Sequence, residues 1–297
     1  EDYESDRVLL ADVYSGQRSY AVSVEQIEAF KRDGQMAVPA DVVVPNEYIL
    51  LTSNNEARRS ALARVDVDRG RLIGLKEVKG GLWGIRPRNK EQYFAIDALL
   101  DERIELVTLM GKAGTGKTLL AIAAAMHLVM RQKRYRGALV ARPIFPLGRD
   151  LGYLPGDVGQ KLEPWIKPII DNIEFIIDSG GPIRDQADAA GLLASGLIEI
   201  QPLTYIRGRS ISNRFVVIDE AQNLTPLEVK TVMTRISQAA KIVFTGDPYQ
   251  IDNPYVDGNS NGFTYLVNRF RGQPSAAHIE LHKGERSQLA ELAANLL

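Results

Sequence analysis

The chain has 297 residues, 45% hydrophobic and 25% charged, which excludes a wholly disordered chain or a coiled-coil rod and suffices to bury a core. Its 36 basic residues are matched by 37 acidic ones, so a globally basic nucleic-acid coat is excluded while local basic patches are not. Cysteine is absent, which removes disulfides, thiol chemistry and cysteine zinc sites, and fits a reducing cytoplasm.

The chain opens at Glu1 without a methionine, which fits either a trimmed chain or one part of a longer protein. Val8 to Val13 and Ser19 to Val24 read as strands around a turn at Tyr14-Ser15-Gly16-Gln17. Glu25 to Arg32 reads as a helix, and Tyr48 to Thr52 as a strand stopped by Asn54-Asn55. Ser60 to Val67 and Arg71 to Leu75 flank Asp68-Arg69-Gly70, a hairpin signal. Strands this short and dense predict a small antiparallel barrel or sandwich over residues 1–83. Gly80-Gly81 and the Pro87 region mark its boundary with a second unit, residues 84–297.

In that second unit strand-length apolar runs alternate with helical patterns. The runs are Ile104 to Met110, Ala138 to Ala141, Leu197 to Leu203, Phe215 to Ile218 and Ile242 to Thr245. The helices are Thr118 to Gln132, Leu162 to Ile177 and Leu227 to Gln238, with Pro164 and Pro168 expected to break or kink the middle one. The fold class is α/β, with a parallel sheet covered on both faces. The longest nearly apolar run, Leu119 to Met130, is too short to cross a bilayer and holds His127, so no membrane partner is expected.

Gly111-Lys112-Ala113-Gly114-Thr115-Gly116-Lys117-Thr118 matches G-x-x-x-x-G-K-[ST], between an apolar run and an alanine-rich helix. Glycines let backbone N–H groups turn inward on phosphate oxygens, and the helix start adds its positive dipole end. Lys117 supplies a charge to the β- and γ-phosphates, and the Thr118 hydroxyl can ligate Mg²⁺. The bland reading is a glycine-rich strand-to-helix turn with an exposed lysine. Phe215 to Ile218 ends in Asp219-Glu220, placing Asp219 to hold Mg²⁺ directly or through water and Glu220 to polarise an attacking water. A capping pair before the next helix is the alternative. Gln250, in Gly246-Asp247-Pro248-Tyr249-Gln250, is equally a γ-phosphate contact and part of an ordinary Asp-Pro turn.

The phosphate loop, Val217-Ile218-Asp219-Glu220-Ala221-Gln222 and Gly246-Asp247-Pro248-Tyr249-Gln250-Ile251-Asp252 together resemble the PhoH-like ATPases, single RecA-type P-loop cores related to superfamily 1 helicases. Ala141-Arg142-Pro143, Tyr205-Ile206-Arg207-Gly208-Arg209-Ser210 and Gly284-Glu285-Arg286-Ser287 extend the resemblance, which covers roughly Gly84 to Leu297. It implies ATP and Mg²⁺ as cofactors and an adenine-reading segment at Pro87, Asn89 and Gln92. It also implies Gln250 as γ-phosphate sensor and Arg286 as an arginine finger reaching a neighbouring subunit. In longer members such a core follows a PIN ribonuclease domain, which would lie outside this chain, and the β-rich unit resembles the linking segment. The family is described as unwinding and cutting RNA, with some hexameric rings, so the resemblance implies single-stranded RNA and a homo-oligomer as partners.

Arg131, Lys133, Arg134, Arg136, Arg142 and Arg149 fall within nineteen residues that contain no acid, and Arg207, Arg209 and Arg214 form a second cluster. Such patches bind nucleic-acid phosphates, and Tyr205 can stack on a base, although helix-end cations and buried tyrosines have structural uses too. Residue chemistry does not separate RNA from DNA. His127, His278 and His282 lack metal-ligand spacing, and Trp83 and Trp165 read as core or interface anchors. Two other classes compete with an RNA-directed ATPase: a small-molecule kinase, whose arginine-bearing lid and acceptor pocket are not identifiable, and a nucleotide-dependent assembly or switch protein. Asn89-Lys90-Glu91-Gln92 lacks the final Asp of a guanine-reading motif.

Overall fold

The computed structural model describes residues 13–39, 41–42, 44–53, 59–144, 158–180, 188–206 and 208–284. The N-terminal part is one five-stranded sheet. Its strands are β1 (Gln17–Val22), β2 (Gln35–Ala37), β3 (Tyr48–Ser53), β4 (Ser60–Asp66) and β5 (Arg71–Gly74), in the order β1-β3-β4-β5-β2. The β4–β5 hairpin falls where Asp68-Arg69-Gly70 predicts it. The expected all-antiparallel pairing does not hold, because β1 and β3 run parallel. Helix α1 (Val24–Asp33) lies in the crossover between them, a connection that parallel neighbours require. Ser23 caps α1 with a capping box and Gly34 ends it at φ 68°, a left-handed conformation suited to glycine. Ile27 and Phe30 of α1 pack with Ile49, Leu51, Val65 and Leu72 of the sheet. Most of Val8 to Val13 lies outside the described residues.

The second part is a six-stranded parallel sheet of β6 (Leu106–Gly111), β7 (Gly137–Arg142), β8 (Ile198–Pro202), β9 (Arg214–Ile218), β10 (Lys241–Gly246) and β11 (Ala276–Leu281). Their order is β11-β6-β10-β9-β7-β8. Every residue of β6 and β10 is buried, as central parallel strands require. Side chains alternate between two apolar layers. Val107, Leu109 and Val243 pack with α2 (Lys90–Leu100), α3 (Lys117–Met126) and α4 (Val158–Ser179). Leu106, Met110, Ile242 and Phe244 pack with α6 (Pro226–Met233) and α7 (Gly262–Arg269), while the short α5 (Ala189–Ala194) precedes β8.

Of the expected break or kink at Pro164 and Pro168, the break does not occur, since α4 runs through both. Asn172 Nδ2 donates to the Pro168 carbonyl at 2.7 Å, one turn back along the same helix. No described helix is long and apolar enough to cross a membrane. Trp83 is 2% exposed in the core and carries the Arg131 guanidinium 4.8 Å from its ring centroid, a cation–π contact.

Charge is buried where the two sheets meet. Asp97 on α2 accepts from Tyr48 Oη at 3.0 Å, from the Lys76 backbone N–H at 2.8 Å and from Arg64 Nε at 3.3 Å. Arg64 also pairs with Asp101, which Arg103 bonds at 3.0 Å. Lys241, 1% exposed at the start of β10, donates to the carbonyls of Ala98 at 2.8 Å and Asp101 at 2.7 Å. Burial pushes its amine down to about 7, against an opposing pull from Asp101. Between that value and the ordinary lysine range the unfolded chain binds the extra proton, so stability rises with pH. Urea unfolding at pH 7, 8 and 9 should show a rise of about 1 kcal/mol per pH unit that Lys241→Met removes. An identical slope in both proteins would exclude Lys241 as its source.

Candidate nucleotide site

Because the six strands are parallel, their C-terminal ends share one edge. β6 delivers the phosphate loop there, β9 delivers Asp219 and Glu220, β10 delivers residues 246–250, and β7 delivers Arg142. β10 lies between β6 and β9, so the loop strand and the acidic strand are about 10 Å apart at the backbone. The resulting cleft of about 250 Å³ is lined by Ala113 to Leu119 without Thr115, and by Asn172, Asp219, Glu220, Gly246, Asp247 and Gln250.

The phosphate loop is built by its glycines. Gly114 and Gly116 hold φ of 84° and 90°, and Gly116 caps α3 without any side chain to occupy the first N–H groups. Those donors and the helix dipole face the cleft, as an anion site needs. Lys117 Nζ donates to the carbonyls of Gly111 at 2.5 Å and Lys112 at 3.0 Å, which holds it inside the loop. Thr115, fully buried, bonds back to Lys112 O at 2.9 Å. Gln92 braces the loop from α2, accepting from Arg88 N at 2.8 Å and donating to Thr115 O at 3.2 Å. Asn89 caps α2 by accepting from Gln92 N at 3.0 Å, a structural use beside the adenine-reading role its resemblance implies.

Thr118 Oγ1 donates to Asp219 Oδ1 at 2.8 Å, and Thr245 Oγ1 donates to the same oxygen at 2.5 Å. A hydroxyl and a carboxylate in contact are the hard oxygen donors that suit Mg²⁺, which takes few protein ligands beside phosphates and water. No group of three or more His, Asp or Glu residues able to hold a metal occurs among the described residues.

Glu220 sits at φ 56° and ψ 40°, a left-handed conformation uncommon outside glycine. Both of its carboxylate oxygens are engaged, Oε1 by Arg142 Nη2 at 2.9 Å and Oε2 by Gln222 Nε2 at 2.6 Å. Burial and then the Asp219 charge push its carboxyl above the ordinary range, against the pull of Gln222, Arg142 and Lys117. Gln222, fully buried, also donates to Gln250 O at 2.8 Å and accepts from Asp247 N at 3.0 Å. Asp247 in turn accepts from Ala113 N at 2.9 Å. A chain of hydrogen bonds thus runs from Glu220 through Gln222 and Asp247 to the phosphate loop.

The structure therefore gathers Gly111, Lys112, Ala113, Gly114, Thr115, Gly116, Lys117, Thr118, Asp219, Glu220, Gln250, Gln92 and Arg142 about one edge. Gln222, Asp247, Thr245 and Asn172 join them without having been singled out as site residues. For Gln222 and Asp247 the signal was available, since both stand inside the motif stretches. Tyr205, 57% exposed, follows β8 at the same edge. Arg209 bonds Gln201 Oε1 at 3.1 Å and Arg214 pairs with Glu199 at 2.7 Å, so the second cluster is partly neutralised. In the first cluster Arg134 pairs with Glu102 at 3.0 Å. Arg149, Arg207 and Arg286 lie outside the described residues.

The PhoH-like protein family profile matches residues 84–296. The chain belongs to this family. Protein PhoH2 of Bacillus subtilis is 46% identical, covering 100% of this chain and 67% of its own length. Protein PhoH2 of Mycolicibacterium smegmatis is 34% identical, covering 100% of this chain and 65% of its own length. A PhoH-like protein of Bacillus subtilis is 34% identical, with 69% of this chain and 60% of its own length aligned. The chain thus spans 60–67% of the length of these three relatives. Among solved structures, the Pif1 helicase of Candida albicans aligns with 71% of this chain and 43% of its own at TM-score 0.37 and 16% identity. The PhoH-like core is a P-loop nucleotide-binding α/β unit whose cradle, acidic pair and amide loop meet at one sheet edge.

Proposed function

We propose that this PhoH-like chain is an Mg²⁺-dependent ATPase that couples hydrolysis to binding and unwinding of single-stranded nucleic acid, RNA foremost, as a homo-oligomer. The observation that carries the reading is the convergence of Lys117, Thr118, Asp219, Glu220 and Gln250 on one cleft. Thr118 and Asp219 would hold Mg²⁺, which neutralises charge on the β- and γ-phosphates. Lys117 exchanges its loop carbonyls for phosphate oxygens. Glu220, with its raised proton affinity, polarises the attacking water. Gln250 orients the γ-phosphate or that water, and Gln92 and Asn89 read adenine.

Residues 84–297 form the ATPase unit in this reading and residues 1–83 a β-rich unit before it. The cleft opens along the sheet edge, and a neighbouring copy closes it with Arg286, as in a ring of up to six chains. In this reading Arg142, Tyr205 and Arg209 offer cations and an aromatic face for a strand to follow, and Arg207 is proposed to join them from the resemblance alone. A PIN nuclease domain, if the full protein has one, would lie outside this chain, and the cytoplasm is the proposed compartment. Turnover of ATP and GTP, each with single-stranded RNA or DNA, together with the mass of the assembly, tests the reading. The expected result is ATP turnover raised several-fold by RNA in an oligomer, a gain that salt weakens. Turnover indifferent to any nucleic acid would refute the coupling, and full activity in a monomer would refute the ring.

A further inference from the structure

The Arg142–Glu220 pair stands between two parts of the proposed function. Arg142 ends β7, and the Asp219 backbone N–H bonds Ala141 O at 2.9 Å, so the register of the sheet places Arg142 beside the acidic pair. Its side chain is 22% exposed and that of Glu220 34%, so the contact lies at the cleft's margin, open to a ligand from solvent. Glu220 has each carboxylate oxygen held, one by Arg142 and the other by Gln222. A carboxylate engaged by a guanidinium is a poorer acceptor for a water proton than a free one.

The geometry points to Arg142 as a latch on Glu220 that single-stranded nucleic acid releases. A phosphodiester oxygen offers the guanidinium the same planar, charge-assisted bonding as a carboxylate. The pair is only partly exposed, so breaking it outright would be costly, but exchanging one anion for another keeps the guanidinium paired throughout. With Arg142 on the strand, Glu220 keeps its Gln222 bond and turns its free oxygen to the water. Arg142 is then a positioning residue: it carries the signal of a bound strand to the group that polarises water. This inference rests on the ATPase reading above and adds its trigger.

Linkage makes the coupling testable from both ends, because whatever weakens the pair must help both partners. Arg142→Gln and Arg142→Lys are compared with the unaltered chain for ATP turnover, with and without a single-stranded oligouridylate. Arg142→Gln is expected to raise the turnover without RNA several-fold through kcat, with KM for ATP nearly unchanged, and to bring the RNA stimulation factor close to one. Arg142→Lys should retain part of the stimulation. Reciprocally, Glu220→Gln without nucleotide should bind a fluorescent oligouridylate several-fold more tightly than the unaltered chain. If RNA stimulates the unaltered chain but Arg142→Gln shows an unchanged or lower basal rate, or if Glu220→Gln binds RNA no better, the latch is overturned and the ATPase reading stands. If RNA does not stimulate the unaltered chain while Arg142→Gln is faster, the nucleic-acid trigger is overturned and the restraint on Glu220 stands.

Discussion

Lys117→Ala is expected to lower ATP turnover by about 10²–10³-fold, the scale for losing one preorganised electrostatic partner of a developing charge. Lys117 is 9% exposed, and the bonds of its amine to Gly111 O and Lys112 O keep it within the loop. A phosphate seated on the α3 N-terminus would therefore meet it without a large side-chain search. Removal should spare the fold, because the loop keeps its glycine conformations, the Thr115 bond to Lys112 and the Gln92 brace. Steady-state turnover beside a circular dichroism melt checks both halves. Turnover close to that of the unaltered chain would dismiss the cradle as the catalytic site.

Glu220→Gln should separate binding from hydrolysis. Loss of a positioned general base typically removes about 10²–10⁴ in rate. Glutamine keeps the length and the unbranched Cβ that suit the φ of 56° at this position. Nucleotide affinity should survive, because Thr118, Asp219 and the loop N–H groups are untouched. Asp219→Asn, in contrast, should weaken both, since its Oδ1 joins Thr118 and Thr245. A nucleotide-binding titration and a single-turnover assay on the same Glu220→Gln preparation read the two effects apart. Unimpaired hydrolysis would assign the water to another group.

The chemistry of the cleft was legible because it is encoded locally. Eight consecutive residues build the phosphate loop, and the acids follow directly on an apolar strand. The second-unit strands were legible for a related reason, as central parallel strands are continuous apolar runs. Helix α2 escaped notice because nine of its eleven residues are buried, which leaves no polar face to set a period. Strand β11 mixes alanines with His278 and Glu280 and offers no apolar run. The parallel β1–β3 pairing was invisible for want of any local mark: two short strands with turn signals read alike whether they pair directly or across a helix. The contacts of Arg142, Gln222 and Asp247 depend on strand order, which brings residues far apart in sequence to one edge. Their residue types were plain in the sequence, but not their partners.

The charge shared between the two sheets bears on how such a chain can be shortened. Asp97 is 1% exposed, and Tyr48, Arg64 and Lys76, its hydrogen-bonding and ion-pair partners, all precede residue 84. Excising residues 1–83 would remove all three and open that carboxylate to water, together with apolar neighbours on α2 such as Phe94, which stacks on Tyr48. The cost would then fall on the bared apolar side chains rather than on the carboxylate, which water would solvate, at roughly 25 cal/mol per Å² exposed. The leading sheet thus serves as a structural lid over α2, and a chain shortened to the second unit would need polar residues where α2 now buries apolar ones.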